Sequence, residues 1–197
     1  MKRTSRGTAA PAGFTIIELL VVIAIIIVLA ALVLGTVGYV QKKGARSRAE
    51  AEIAAMSAAL ESYKADNGIY PNSTDTNSLV ATNPDSKQYW KASLYLYEAL
   101  TGDQSATGTT TAGQKSYMSF KPATLGRADM TSAPSGSNTV MYLRDPFGNS
   151  YGYSTSKNPD ANPSAAATTA GYNPTFDLWS TANANPPADQ NQWIKNW

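Results

Sequence analysis

The sequence predicts an α+β protein in which one long N-terminal helix packs on a small C-terminal antiparallel sheet, with a short extra helix and long loops. Three observations carry this. The run from Leu19 to Leu34 is wholly apolar, a stripe at helical spacing follows from Ala49 to Tyr63, and most strand-like segments lie after Thr139. A chain of 197 residues holds one modest domain plus an extended element.

From Phe14 to Val40 the chain reads as a single helix, about 40 Å long at 1.5 Å per residue, enough to cross a hydrocarbon core of roughly 30 Å. A secretory signal has a shorter apolar core of about 7 to 15 residues, with its cleavage site after that core. Here the stretch is longer and Gly13 stands before it, although Ala30 and Ala31 offer a conventional cut. Flanking charge does not orient the helix, since Lys2, Arg3 and Arg6 face Lys42, Lys43, Arg46 and Arg48. Arg46 with Glu50 and Arg48 with Glu52 are spaced i,i+4, so the second cluster reads as a solvated helix face. Glu18 is the one acid in the apolar segment. A carboxylate near the start of a membrane helix needs either a partner or the interface, where the helix N-terminus also favours it.

Gly13-Phe14-Thr15-Ile16-Ile17-Glu18-Leu19-Leu20 resembles the processing motif of type IV prepilins and type II secretion pseudopilins. The resemblance implies a leader at 1–13, cut after Gly13 by a prepilin peptidase that methylates the new N-terminus at Phe14. It also implies an assembly role for Glu18, whose carboxylate neutralises the Phe14 amine of a neighbouring subunit in a medium of low dielectric. Pilins usually carry a proline where this chain has Gly35; with Thr36 and Gly38, the glycine favours local unwinding or close helix packing over a sharp kink.

Beyond the membrane segment (14–40), residues 41–68 continue as the amphipathic half of the helix. Ala49, Ile53, Met56, Leu60 and Tyr63 form its apolar stripe, and Gly68 after Asn67 is the stop. Tyr63-Lys64-Ala65-Asp66-Asn67-Gly68-Ile69-Tyr70-Pro71 is similar to the end of the long helix in the major pseudopilin of type II secretion. The next region, 69–138, reads as loops around a short helix from Gln88 to Leu100, with Thr/Ser/Gly-rich stretches at 101–113 and 131–138. Asn72-Ser73-Thr74 matches a glycosylation acceptor but reads as an ordinary loop.

In the last region, 139–197, strand signals occupy Thr139 to Leu143, Ser150 to Ser154 and Thr175 to Ser180. Asp145-Pro146-Phe147-Gly148 has the residue preferences of a type I turn and predicts a hairpin. Continued through Asn149 and Tyr151, the string resembles the segment preceding the sheet of major pseudopilins. Phe176-Asp177-Leu178-Trp179-Ser180 and Ile194-Lys195-Asn196-Trp197 resemble that subunit's last strand and tail. The residues call for no cofactor, but the resemblance raises calcium in the intervening loop, which offers Asn183, Asn185, Asp189, Asn191 and Gln192, a single acid among amides. The alternative is a loop held by its prolines, amides and tryptophans.

Composition narrows the function classes. Cysteine and histidine are absent, which removes disulfides, thiol nucleophiles, Cys/His metal sites and imidazole bases. Without Lys2, Arg3 and Arg6 the 16 basic side chains fall to 13 against 14 acidic ones, and no basic stripe suggests nucleic acid. The acids show no paired or metal-spaced pattern, so a membrane-anchored enzyme is disfavoured; a binding module on a signal anchor is a further rival. The chain is thus expected to be a type IV pilin-like subunit, most like the major pseudopilin, with no catalytic residues. The resemblance implies a homo-oligomeric filament driving protein export, with the prepilin peptidase, an inner-membrane assembly platform and minor pseudopilins as partners. It places a single-pass subunit in a bacterial inner membrane with a periplasmic domain. A pilin of a surface fibre for adhesion, motility or DNA uptake is the alternative.

Overall fold

The computed structural model describes residues 13–127, 139–161, 171–185 and 187–197. Residues 1–12 of the expected leader and the stretch at 131–138 lie outside these. Helix α1 (Ile16–Asn67) passes through two units, one ending at Lys43 and the other covering Gly44–Trp197. In the first unit the apolar side chains stand exposed, as at Leu29 (56%) and Leu32 (66%). Its 18-residue apolar window has mean hydropathy 3.4 and nothing in it is buried, so by length and composition α1 can cross a membrane.

In the second unit the stripe is buried as its spacing demands: Ala49, Ile53, Met56 and Leu60 are buried, and Tyr63 is half-buried against the Tyr117 ring at 5.2 Å. Gly68 ends the helix at φ 82, donating its N–H to the Lys64 carbonyl at 2.8 Å; a side chain would strain that left-handed turn. Both predicted i,i+4 ion pairs form, Arg46 to Glu50 at 3.3 Å and Arg48 to Glu52 at 2.9 Å.

Helix α2 (Thr74–Ser78) forms where the sequence predicts loop. Ser73 caps it, in a capping box where Thr76 returns the bond to the Ser73 N–H at 2.8 Å. After a 3₁₀ turn at Ser86–Gln88, helix α3 (Trp90–Thr101) matches the expected short helix. Its C-terminus leads into the Thr/Ser/Gly-rich stretch, which is organised around Asp103. That carboxylate accepts from the Tyr97 hydroxyl (2.8 Å), the Gly108 N–H (2.7 Å) and the Ser105 N–H (3.2 Å) and hydroxyl (3.0 Å). Burial acts to raise its pKa, but these hydrogen bonds outweigh it and hold the carboxyl at about 2.

Strands β1 (Leu125–Gly126) and β2 (Tyr142–Leu143) make one antiparallel pair, Leu125 opposite Leu143. Strands β3 (Gly152–Ser154), β4 (Asp177–Ser180) and β5 (Ile194–Lys195) make a second antiparallel sheet in that order. The Asp145 turn forms, with the Gly148 N–H bonded to the Asp145 carbonyl at 3.0 Å, but the expected hairpin is short. It is closed by the Asp145 N–H to Asn149 carbonyl bond of 2.8 Å, the Arg144–Ser150 bridge and a Tyr151 N–H to Leu143 carbonyl bond of 3.0 Å, while β2 pairs with β1 and β3 with β4. Gly152 lies opposite Trp179, and a Cβ there would run into the indole, so the glycine lets the ring lie across the strand.

Two clusters of buried residues form the core. One joins the α1 stripe to Leu96 and Leu100 of α3 and to Leu143, Tyr153, Leu178 and Ile194. The other gathers Leu79, Tyr89 and Ala92 with Trp179, Ala184 and Trp193.

Candidate functional site

The residues singled out for processing and assembly lie together at the start of α1. Gly13 is exposed, its φ is not in the left-handed region, and a Cβ built on it would meet nothing within 4 Å. Neither packing nor backbone conformation within the described structure therefore requires glycine there. Phe14 is 84% exposed.

Glu18 folds back on Thr15. Its Oε2 accepts from the Thr15 N–H at 3.0 Å and from the Thr15 hydroxyl at 2.8 Å, while the Glu18 N–H donates to Thr15 Oγ1 at 3.3 Å. This is a reciprocal capping box that satisfies the first donors of α1 and holds the carboxylate on Thr15, the residue after Phe14. These bonds use Oε2, which leaves Oε1 for another donor. Sequence reading singled out Glu18 and missed Thr15, although Thr-x-x-Glu before an apolar run is a recognisable start signal.

The amphipathic half of α1 positions the domain by polar bonds as well as by its stripe. Glu52 accepts the Tyr151 hydroxyl at 2.7 Å, and burial with that carboxylate pushes the phenol far above its ordinary value. Arg46 donates to the Gln192 and Trp193 carbonyls at 2.8 and 3.4 Å, a link the sequence reading missed because 146 residues separate Arg46 from Gln192.

The loop read as a calcium candidate offers a poor donor set. Asp189 accepts from the Asn191 N–H at 3.2 Å and the Gln192 amide at 2.7 Å, and these bonds hold its carboxyl below the usual range. Asn183 accepts from the Asn149 amide at 2.5 Å, and Asn185 is exposed. Among the described residues no three acids converge on a common point. A calcium shell needs about six to eight oxygens with carboxylates supplying most of the affinity, and these residues do not fit it.

The family described as type II secretion system (T2SS), protein G, matches residues 36–139, more than half of the chain. The chain belongs to this family. The matched span begins after the Gly13–Glu18 motif, so family membership and the processing motif are independent observations. Among curated relatives, the type II secretion system core protein G of Pectobacterium carotovorum subsp. carotovorum is 38% identical over 72 residues, covering 36% of this chain and 46% of that protein. The core protein G of Vibrio cholerae is 35% identical over 92 residues (45% and 60%), and that of Escherichia coli K12 is 42% identical over 66 residues (34% and 46%). This protein G homologue therefore spans 46 to 60% of the length of these relatives. No solved structure matches.

Proposed function

We propose that this protein G homologue is a structural subunit of a type II secretion pseudopilus, assembling through its N-terminal helix to drive protein export. The observation that carries the proposal is the apolar half of α1: among the described residues, its side chains from Leu19 to Leu34 stand exposed. An apolar surface of that length needs a bilayer before assembly and other copies of the helix after it.

In this reading the leader is removed after Gly13 by a prepilin peptidase, which methylates Phe14. The glycine that the described structure does not require is then required by the enzyme that reads it. The capping box holds one oxygen of Glu18 on Thr15, and the other accepts the Phe14 ammonium of the adjacent subunit. Burial between helices strengthens that pairing because an unpaired charge there is costly. The helix spans the bacterial inner membrane once, the domain lies in the periplasm, and an inner-membrane platform and minor pseudopilins are the assembly partners. No catalytic role is assigned to any residue.

Deleting the gene tests the proposal. Loss of secreted hydrolases with surface fibres and twitching intact is the expected result; normal secretion with loss of surface fibres would replace it with a type IV pilin.

A further inference from the structure

The loop joining β4 to β5 closes over an apolar floor. Trp193, 2% exposed, lies parallel to the fully buried Trp179 at 6.3 Å between ring centroids, and Ala184 belongs to the same cluster. Tyr89 and Trp197 meet Trp179 edge-on at 5.2 and 5.9 Å. A calcium site needs the opposite lining, oxygen atoms converging on a point.

Several of the loop's oxygens are already engaged. The Trp193 indole N–H donates to the Pro187 carbonyl at 3.0 Å, and the Ala184 N–H to the Thr181 carbonyl at 2.8 Å. The Gln192 and Trp193 carbonyls face the Arg46 guanidinium, whose own charge is balanced by Glu50 at 3.3 Å. A guanidinium presents several N–H donors in a fixed fork and stays protonated, so it gathers adjacent carbonyls as a bound cation would.

We infer that Trp193 and Arg46 hold this loop in place of a divalent cation: the indole plugs it from beneath and the guanidinium ties its last carbonyls to α1. The loop is therefore ordered without calcium, and its stability depends on these two side chains. This inference does not rest on the export function, so either can fail alone.

The test uses the full chain in detergent, with thermal unfolding followed by tryptophan fluorescence and loop exposure by elastase, which cuts after the alanines at 182, 184 and 188. Excess chelator and millimolar calcium should give melting temperatures that agree within about 1 °C, less than a typical ligand-linked shift. Trp193→Ala should lower the midpoint by roughly 10 °C, as emptying a tryptophan site does, and Arg46→Gln by about 2 to 3 °C. Both should speed elastase cleavage with calcium present or absent. Should Trp193→Ala fail to fold, Trp193→Phe with Arg46→Gln carries the comparison. A calcium-induced rise of several degrees, calcium protection from elastase, or an Arg46→Gln loop as resistant as the parent would each overturn the inference.

Discussion

Leu29 and Leu60 are the same residue on the same helix, and nothing within the described chain covers one while the other is sealed. Leu29 is 56% exposed in the unit that ends at Lys43, and Leu60 is 0% exposed in the unit that begins at Gly44. The contrast follows from pattern. Around Leu29 every position is apolar and no face is distinguished, whereas around Leu60 the apolar residues recur at spacings of three and four among charges. A helix apolar on all sides cannot be satisfied by one domain and needs an outside solvent; a striped helix is satisfied by its own sheet. On the proposed function, assembly chemistry belongs to the first region and folding energy to the second.

Glu18→Ala breaks the comparison most severely if it is correct. Filament yield should fall on the order of 100-fold, because the Phe14 amine loses its counter-charge in an apolar interface, while thermal unfolding of the domain stays unchanged. Electron microscopy of sheared filaments beside a melt of the detergent-solubilised subunit reads both. Normal filaments would remove Glu18 from assembly.

Leu60→Ala and Leu29→Ala sharpen it. The first should cost about 3 kcal/mol and lower the melting temperature by roughly 10 °C, as a cavity in a packed core does; the second should leave the midpoint where it was. Equal effects would show that the two halves of α1 fold as one unit.

Within the domain, Asp103 sets a pH dependence. Its carboxyl falls from the ordinary 3.8 to about 2, so its contribution is whole above about pH 4 and is lost as pH falls toward 2. Asp145 and Asp177 behave oppositely: burial raises both, and protonation as pH falls through their raised values favours the folded state. Asp103→Asn should cost up to about 2 kcal/mol near pH 7 and flatten the acid limb of an unfolding curve between pH 4 and 2. An unchanged acid limb would assign that limb to other carboxylates. A small effect is expected at Arg48→Ala, which breaks a solvent-facing i,i+4 pair with Glu52 and should cost at most about 0.5 kcal/mol by chemical denaturation. A larger loss would mean that Arg48 also secures Tyr151 through Glu52.

The long helix, its stop at Gly68, α3 and the Asp145 turn were legible because each is written in a local period or a turn preference. Strand β1 was not, since two residues make no alternation. Asn72-Ser73-Thr74 matches a glycosylation acceptor and reads as ordinary loop, although Ser73 caps α2, a role set with Thr76 three residues on. Asp103 sat unremarked in a Thr/Ser/Gly stretch because its donors, at Tyr97, Ser105 and Gly108, converge by folding rather than by spacing. Arg46 was read as a solvated partner of Glu50, and that pair does form; its reach to Gln192 depends on tertiary packing, which no local pattern records. At the N-terminus the motif located Glu18, and Thr15 was available from the same four residues.

Mass spectrometry of the native protein, taken from membranes and filaments, tests the central claim most directly. Processing after Gly13 predicts a mature N-terminus at Phe14 carrying one methyl group. An intact leader, or a new N-terminus near Ala31, would contradict it and remove the exposed helix from the role given to it here.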